Sequence, residues 1–523
     1  MENVSVNKYR DSLNNPERFT VTWEQIPGRI NTRQQLNSIL TNTAEAAAGG
    51  IVTTISITDS PGGTPALPSE VVALEVQKLG IEPLVHIALR DKNRTQVESI
   101  LYNLNLNNIR NVLVISGDYP EVTSYMGRAL PAYDLDPAHV MDLIRCLNSG
   151  REYEALGKPR QMEPTDFFGG VGVSHFKQSE AETVCQYFKL EKKIKSGAGF
   201  IISQIGYDAR KMHELVTWLK YMDYKVPVLA NIYLLSYPAA KAMHVNRIPG
   251  AVVTKELLEE VELERQAPDK GREKRMIRAA KMYAMAKGMG YAGVHIGGYH
   301  LTHKDMEYIV NLGNELEPRW QELVPEFSYP QPDGYYLFEK DEQTGLNTME
   351  ETGLLGKGKA PFSYRIARII HEGFFDPRHP FFSLYQKMAA RIDESDLSRR
   401  AFGKLTHIAK TMLYNCLDCG DCALFDTAYL CPVSQCPKER RLGPCGGSHE
   451  GWCEVYPGKK QCIWVRAYER FKHYDEEDAI GSYIVPPRDW TLWQTPSQLN
   501  FYLGRDHTSK RLGLEPPQPK SKE

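Results

Sequence analysis

The chain has 523 residues, long enough for two domains, one of them large. Hydrophobic residues make up 42% and charged residues 24%, an ordinary globular balance, and 63 basic against 65 acidic side chains leave a formal charge of −2. That balance excludes the basic excess of a nucleic-acid binder, and no run of eighteen apolar residues is present to span a membrane as a helix. The opening stretch MENVSVNKYRDSLNNPERF is polar and lacks an apolar core, so no signal peptide is expected.

Short β-branched runs then alternate with helical patterns. The runs cover residues 19–27, 50–59, 83–89, 111–118, 168–174, 200–206, 226–235 and 293–301, with stretches such as SEVVALEVQKLG and RTQVESILYNL between them. Several helical stretches close on Gly just before the next strand, as a helix C-cap should. Eight strand–helix repeats over about 300 residues predict an α/β fold, a (β/α)8 TIM barrel. A doubly wound sheet would want a Gly-rich phosphate loop after its first strand, and EQIPGRINTRQQ has none. In such a barrel the chemistry sits at the carboxyl ends of the strands. Those positions hold Glu24, Thr58 and Asp59, His86, Ser116-Gly117-Asp118, Ser174 and His175, Gln204, and Gly297 to His300. They include no His triplet at metal spacing and no obvious nucleophile–base pair. Such a mouth suits an organic cofactor and proton transfer.

Residues 318–360 are rich in Gly, Pro and charge and show little periodicity, so the organisation expected is a barrel over 1–317, a linker or irregular bridge over 318–360, and a smaller, mainly helical module over 361–523. PPQPKSKE reads as a loose terminus. Eight of the ten cysteines fall within one 47-residue stretch of that module: Cys416, Cys419, Cys422, Cys431, Cys436, Cys445, Cys453 and Cys462. Three at two-residue steps, followed by Cys-Pro, resemble a ferredoxin-type run, and eight thiolates suffice for two four-ligand centres. Two 4Fe–4S clusters are the favoured reading. Zinc in one or both sites is the alternative, although structural zinc usually shows paired Cys-x2-Cys knuckles. Disulfides suit neither the missing signal peptide nor the cytoplasmic, reducing location expected for this chain. Cys146 and Cys185 sit in amphipathic helical patterns and read as ordinary core or half-buried thiols.

Taken in order, several motifs resemble the catalytic barrel of the 5,10-methylenetetrahydrofolate reductases, which are flavoproteins. Trp23-Glu24-Gln25-Ile26-Pro27-Gly28-Arg29 resembles the family's first strand, Pro83-Leu84-Val85-His86 its third, and Asn111 through Ser116-Gly117-Asp118 the fourth strand that ends in Gly-Asp. Leu190 to Ile194 with Ser203-Gln204, and Val226-Pro227 with Ile248-Pro249-Gly250, complete the set. The cysteine region, with CPVSQCPKERRLGPCGGSHEGWCEV and DWTLWQTPSQLNFYLGRDH, resembles the module that accompanies or is fused to some of these reductases in anaerobic one-carbon metabolism. Ser116 stands where many members have Arg, and His303 where an Arg meets the folate tail. The Tyr and His that help hold FAD after the fifth strand are not evident. The flavin is therefore expected to be FAD or FMN in a rebuilt pocket.

The resemblance implies reduction of 5,10-methylenetetrahydrofolate, with Glu24 as the acid that protonates the folate nitrogen and Asp118 at the pterin and near the flavin. It implies Gln204 at the pterin edge, and flavin contacts from Thr58, His86, Gly117, Asp118, Ala132 and Lys193. The electron donor implied is NAD(P)H, ferredoxin or a partner oxidoreductase subunit, and an oligomer is expected. Two other readings remain open: a folate-binding methyltransferase-type barrel, and a non-catalytic electron-transfer or scaffold subunit with structural zinc.

Overall fold

A computed structural model describes residues 7–28, 32–121 and 127–516 of the chain. Arg29 and the terminus from residue 517 onward lie outside the described residues. The chain forms two units, one of Met1–Leu354 with Gly446–Glu450, the other of Leu355–Cys445 with Gly451–Glu523.

The first unit is the expected barrel. Strands β1 (Thr20–Gln25), β2 (Thr54–Ile57), β3 (Glu82–Ala88), β4 (Asn111–Ile115), β5 (Phe168–Val173), β6 (Phe200–Ser203), β7 (Val228–Tyr233) and β8 (Gly293–Gly297) close in one ring, each strand beside its neighbours in sequence and β8 beside β1, all parallel. Around them run α1 (Thr32–Gly49), α2 (Ser69–Gln77), α3 (Arg94–Leu106), α4 (Pro137–Asn148), α5 (Glu180–Lys195), α6 (Ala209–Tyr221), α7 (Arg272–Met289) and α8 (His303–Leu316). Start signals are local: Ser179 accepts the Glu182 N–H at the head of α5, and Asp136 and Thr302 make capping boxes on α4 and α8.

The strands carry Val and Ile on alternate positions because successive side chains point to opposite faces. Val21, Trp23, Ile55, Ile57, Val85, Ile87, Val112 and Val114 are buried in the core that the helices cover. Each such side chain taken from water stabilises the fold by roughly 1.5–3 kcal/mol. The other face fills the barrel with Leu84, Leu113, Phe168, Phe200, Ile202 and Leu229.

A short helix, Lys8–Leu13, closes the amino end of the barrel, a feature its polar sequence does not announce. Tyr9 is fully buried edge-on to Phe168 and Phe200, with ring centroids 6.1 and 5.4 Å apart. Glu82, at the start of β3, accepts the Lys8 and Tyr9 N–H groups at 2.8 and 3.0 Å, and Asn7 donates to Asn111 at 2.8 Å. Water is thus kept from the interior at this end, and the open end is the carboxyl mouth.

Residues 318–354 are not a linker. They pack on the barrel through Tyr336, Phe338 and Leu346, all buried, and through a two-stranded ladder of Phe338–Lys340 with Asn347–Glu351. Tyr336 donates to Asp208 at 2.5 Å, Leu337 N to Glu214 at 2.7 Å, and Arg210 to the Phe338 carbonyl at 2.7 Å. The barrel unit therefore runs on to Leu354.

The second unit holds helices Phe362–Ile370, Phe382–Asp393, Asp396–Tyr414 and Ile463–Lys472, with the cysteine stretch mostly in turns between the last two. Phe382, Phe501, Tyr502 and Leu499 form its apolar centre with Phe375 and Phe425. Asp421 sits between Cys419 and Cys422 and is buried. It accepts from Arg441 at 2.9 Å and lies 2.5 Å from His507 Nδ1, while His507 Nε2 is 2.9 Å from Asp426. Burial alone would raise the Asp421 carboxyl; His507 and Arg441 hold it well below its usual range. No described helix is long and apolar enough to cross a membrane.

Candidate functional site

The strand alternation that buries Trp23 outward turns Glu24 inward at the mouth. Its carboxyl needs room, and Gly297 on the neighbouring β8 supplies it: a Cβ at 297 would lie 2.7 Å from Glu24 Oε1. The Glu24 side chain is 18% exposed, and His295 Nε2 lies 4.0 Å from its Oε2. Burial disfavours the carboxylate and pushes this carboxyl up to about 7. Tyr233, at the end of β7, is a further neighbour, its phenol raised by burial and by Tyr299 and Glu24.

One layer below lies a line of polar side chains that sequence reading saw only in part. His86 Nε2 is 2.7 Å from Ser56 Oγ, and Ser56 Oγ is 3.1 Å from His295 Nε2. Both imidazoles are buried, His86 lowered to about 4 and His295 to about 3, so both are neutral at ordinary pH. His86 is thus inside the barrel and not at its rim, because it stands two residues before Ala88 in the alternation. His295 and Ser56 were missed. The same period of two, counted back from Gly297 and Thr58, would have found them.

The other expected residues divide. Thr58 is buried at the rim, and its hydroxyl has no hydrogen-bond partner among the described residues, an orphan that a bound ligand would satisfy. Asp118, half-buried beyond β4, accepts the Gly62 N–H at 2.8 Å and so ties its loop to the turn after β2. Gly117 precedes it at a φ of 79°. Asp59 is taken by Lys92 at 2.6 Å and the Ala88 N–H at 2.9 Å. Ala132 is exposed in the following loop, its N–H donating to the Arg90 carbonyl at 2.7 Å. Lys193 donates to the Gly172 carbonyl at 2.6 Å. Gln204 accepts the Ile205 N–H at 2.9 Å and donates to Pro249 at 3.3 Å, so its amide faces local backbone. His303 is buried with its ring beside Gly49, not at the rim. Tyr299 and His300 are exposed.

Near Gln204 the barrel unit includes residues from far along the chain. Lys177, 3% exposed, donates to the carbonyls of Gly446 at 2.6 Å and Ser448 at 2.5 Å, and Asn246 donates to Gly447 at 3.3 Å. Gly250 has a φ of 81° and passes so close that a Cβ would lie 2.8 Å from the Gly446 carbonyl and 3.1 Å from Gln204 Nε2. No sequence signal marks Lys177 for this task.

In the second unit Cys416, Cys419, Cys422 and Cys431 line one hollow. All eight cysteines of the stretch are free thiols. Burial pushes Cys419 up to about 11 and Cys436 up to about 12. A metal centre there would have to displace thiol protons, and an all-sulfur donor set fits soft metals and iron–sulfur clusters.

An eight-stranded parallel barrel with a raised carboxyl at its mouth and neutral imidazoles beneath it belongs to the TIM-barrel class that holds its ligand at the strands' carboxyl ends. The chain belongs to the methylenetetrahydrofolate reductase family, which matches residues 8–310, and the family described as methylene-tetrahydrofolate reductase C terminal matches residues 397–491. Membership supports folate-related reductase activity, and members generally use a flavin. Solved structures similar to the chain include an uncharacterized protein from Clostridium thermocellum that binds two copies of 5-methyl-5,6,7,8-tetrahydrofolic acid, at 11% identity and a TM-score of 0.42, covering 60% of this chain and 100% of that one. Others are the dihydropteroate synthases of Yersinia pestis (11% identity, TM-score 0.32, 58% and 94% covered) and Xanthomonas albilineans (11%, 0.34, 59% and 93%).

Proposed function

We propose that the protein reduces 5,10-methylenetetrahydrofolate to 5-methyltetrahydrofolate with a bound flavin, FAD or FMN, fed through iron–sulfur clusters in its second unit. The observation that carries this reading is the Glu24 carboxyl, held at the barrel mouth with a pKa of about 7. Opening the five-membered ring of the substrate requires a proton at its bridging nitrogen. An acid still protonated near neutral pH can give it. Glu24 is that acid, and Gly297 leaves the space in which its carboxyl sits.

A bound flavin would take electrons one at a time from one-electron clusters and supply them in pairs as hydride. The Thr58 hydroxyl is a free partner for a ligand at the rim, and Asp118 and Gln204 stand on the loops where the pterin would be read. Gln204 would exchange its contact with Pro249 for one with substrate. The neutral His86 and His295 keep the floor below Glu24 uncharged, so no nearby cation pulls its carboxyl toward ionisation.

The test is the absorption spectrum, flavin content and iron content of anaerobically purified protein, followed by reaction of the photochemically reduced protein with methylenetetrahydrofolate. Stoichiometric methyltetrahydrofolate is expected. A colourless protein without flavin, or reduced flavin that persists in the presence of substrate, overturns the reading.

A further inference from the structure

The sequence leaves open how the eight thiols divide, because Cys-Pro follows the triple twice, at Cys431 and at Cys436. The structure distinguishes these. Cys431 lines the same hollow as Cys416, Cys419 and Cys422, together with Tyr414 and Lys410. Local backbone builds that set. The helix Asp396–Tyr414 stops on Asn415 at a φ of 52°, and Asp418 and Gly420, at 52° and 75°, turn the chain again. The Asp418 N–H points to Cys416 Sγ at 3.4 Å, and Asn500 holds the Gly420 carbonyl at 3.0 Å.

The remaining four gather separately. The Cys453 N–H donates to the Lys460 carbonyl at 2.9 Å and the Cys462 N–H to the Gly451 carbonyl at 2.8 Å, and Trp452 bridges to Gln461, which brings the backbone at Cys453 and Cys462 together across one small loop. Cys445 is an electrostatic neighbour of Cys436, Cys453 and Cys462, just as Cys431 is of Cys416, Cys419 and Cys422. Cys445 Sγ also lies 3.8 Å from Glu454, which is buried in an ion pair with Lys438.

We propose that the second unit carries two independent four-thiolate centres, Cys416/Cys419/Cys422/Cys431 and Cys436/Cys445/Cys453/Cys462, each holding one 4Fe–4S cluster. The cluster type rests on the function proposed above; the division rests on the hollow that Cys416, Cys419, Cys422 and Cys431 share, with the other four left as the second set.

Anaerobically purified protein should contain about eight irons per chain. Cys431→Ser and Cys436→Ser should each lose about half of the iron and one of two low-temperature EPR signals after dithionite reduction. The double variant Cys422→Ser/Cys431→Ser should keep the remaining half, whereas Cys422→Ser/Cys436→Ser should lose nearly all. The reverse pattern in the doubles overturns the division. A measurement on the native protein covers variants that fail to fold: graded chelation, then alkylation and mass spectrometry. Cys416, Cys419, Cys422 and Cys431 should become labelled together, as one group distinct from the other four. Labelling that mixes the groups overturns it equally. If the metal found is zinc, the iron–sulfur relay fails, while the same pairings of metal loss would still establish the division.

Discussion

His295 places its Nε2 4.0 Å from Glu24 Oε2 and 3.1 Å from Ser56 Oγ, and burial keeps its ring neutral. The acid at the mouth therefore rests on a polar but uncharged floor. An imidazolium in that place would hold Glu24 ionised, and the carboxyl would have no proton to give near pH 7.

Replacing Glu24 by Gln keeps the shape and removes the proton. Turnover with methylenetetrahydrofolate is expected to fall about 10²–10⁴-fold, the usual worth of a general acid, with flavin still bound and reducible. Stability should move the other way. The folded carboxyl, at about 7, lies above its ordinary 4.5, so ionising it in the folded state costs stability as pH rises through that window. At pH 8 the Gln variant should be more stable by at most about 3 kcal/mol, and near pH 4 the gain should vanish. Thermal melts at the two pH values check this.

The pH profile of turnover gives a separate test. Activity that needs protonated Glu24 is full below about 7 and declines as pH rises through it. A flat profile between pH 6 and 9, with chemistry shown to limit the rate, would remove Glu24 from the proton-transfer step.

His295→Leu takes a polar group away from the carboxyl and leaves its surroundings more apolar. The descending limb of the pH profile should shift upward, by roughly half a unit to one unit. An unmoved limb with lower thermal stability would reduce His295 to a packing role.

Asp118→Asn retains an acceptor for the Gly62 N–H, so the turn should survive and only the charge is lost. Weaker folate reduction and a higher flavin reduction potential are expected, since a negative charge nearby opposes formation of anionic reduced flavin. A potential that stays put or falls places Asp118 away from the flavin.

Lys177→Met leaves the Gly446 and Ser448 carbonyls without their donor. A buried carbonyl without a partner costs about 1–3 kcal/mol. The melting temperature should drop and limited proteolysis should cut within 446–450. An unchanged digestion pattern would show that other contacts hold the segment.

The barrel was legible because eight β-branched runs alternate with helical patterns, and the period of two within most of those runs survives any reasonable error in strand ends. The place of Glu24 at the end of β1 was legible in the same way, whereas its role as an acid was implied by the resemblance and is a proposal. What the period does not carry is which buried layer a polar residue joins, so His86 was expected at the rim and His295 went unnoticed. The hairpin of Glu152–Ala155 with Lys158–Gln161 is highly charged and exposed, and nothing apolar marks it. Residues 318–354 lack periodicity because single side chains, Tyr336 and Phe338, anchor them at places fixed by α6. Lys177 could not be found at all, since its partners are main-chain carbonyls about 270 positions away, which have no side-chain signature.

Those carbonyls set an order on synthesis. The eight strands are complete once residue 297 has left the ribosome, yet Lys177 has nothing to donate to until Ser448 has followed. Through that interval the ammonium must stay in water, and the loop between β5 and α5 cannot settle into its final form. By the time Gly446 and Ser448 arrive, six of the eight clustered cysteines have already been made. The barrel unit is therefore finished only by a segment made about 150 positions after its last strand.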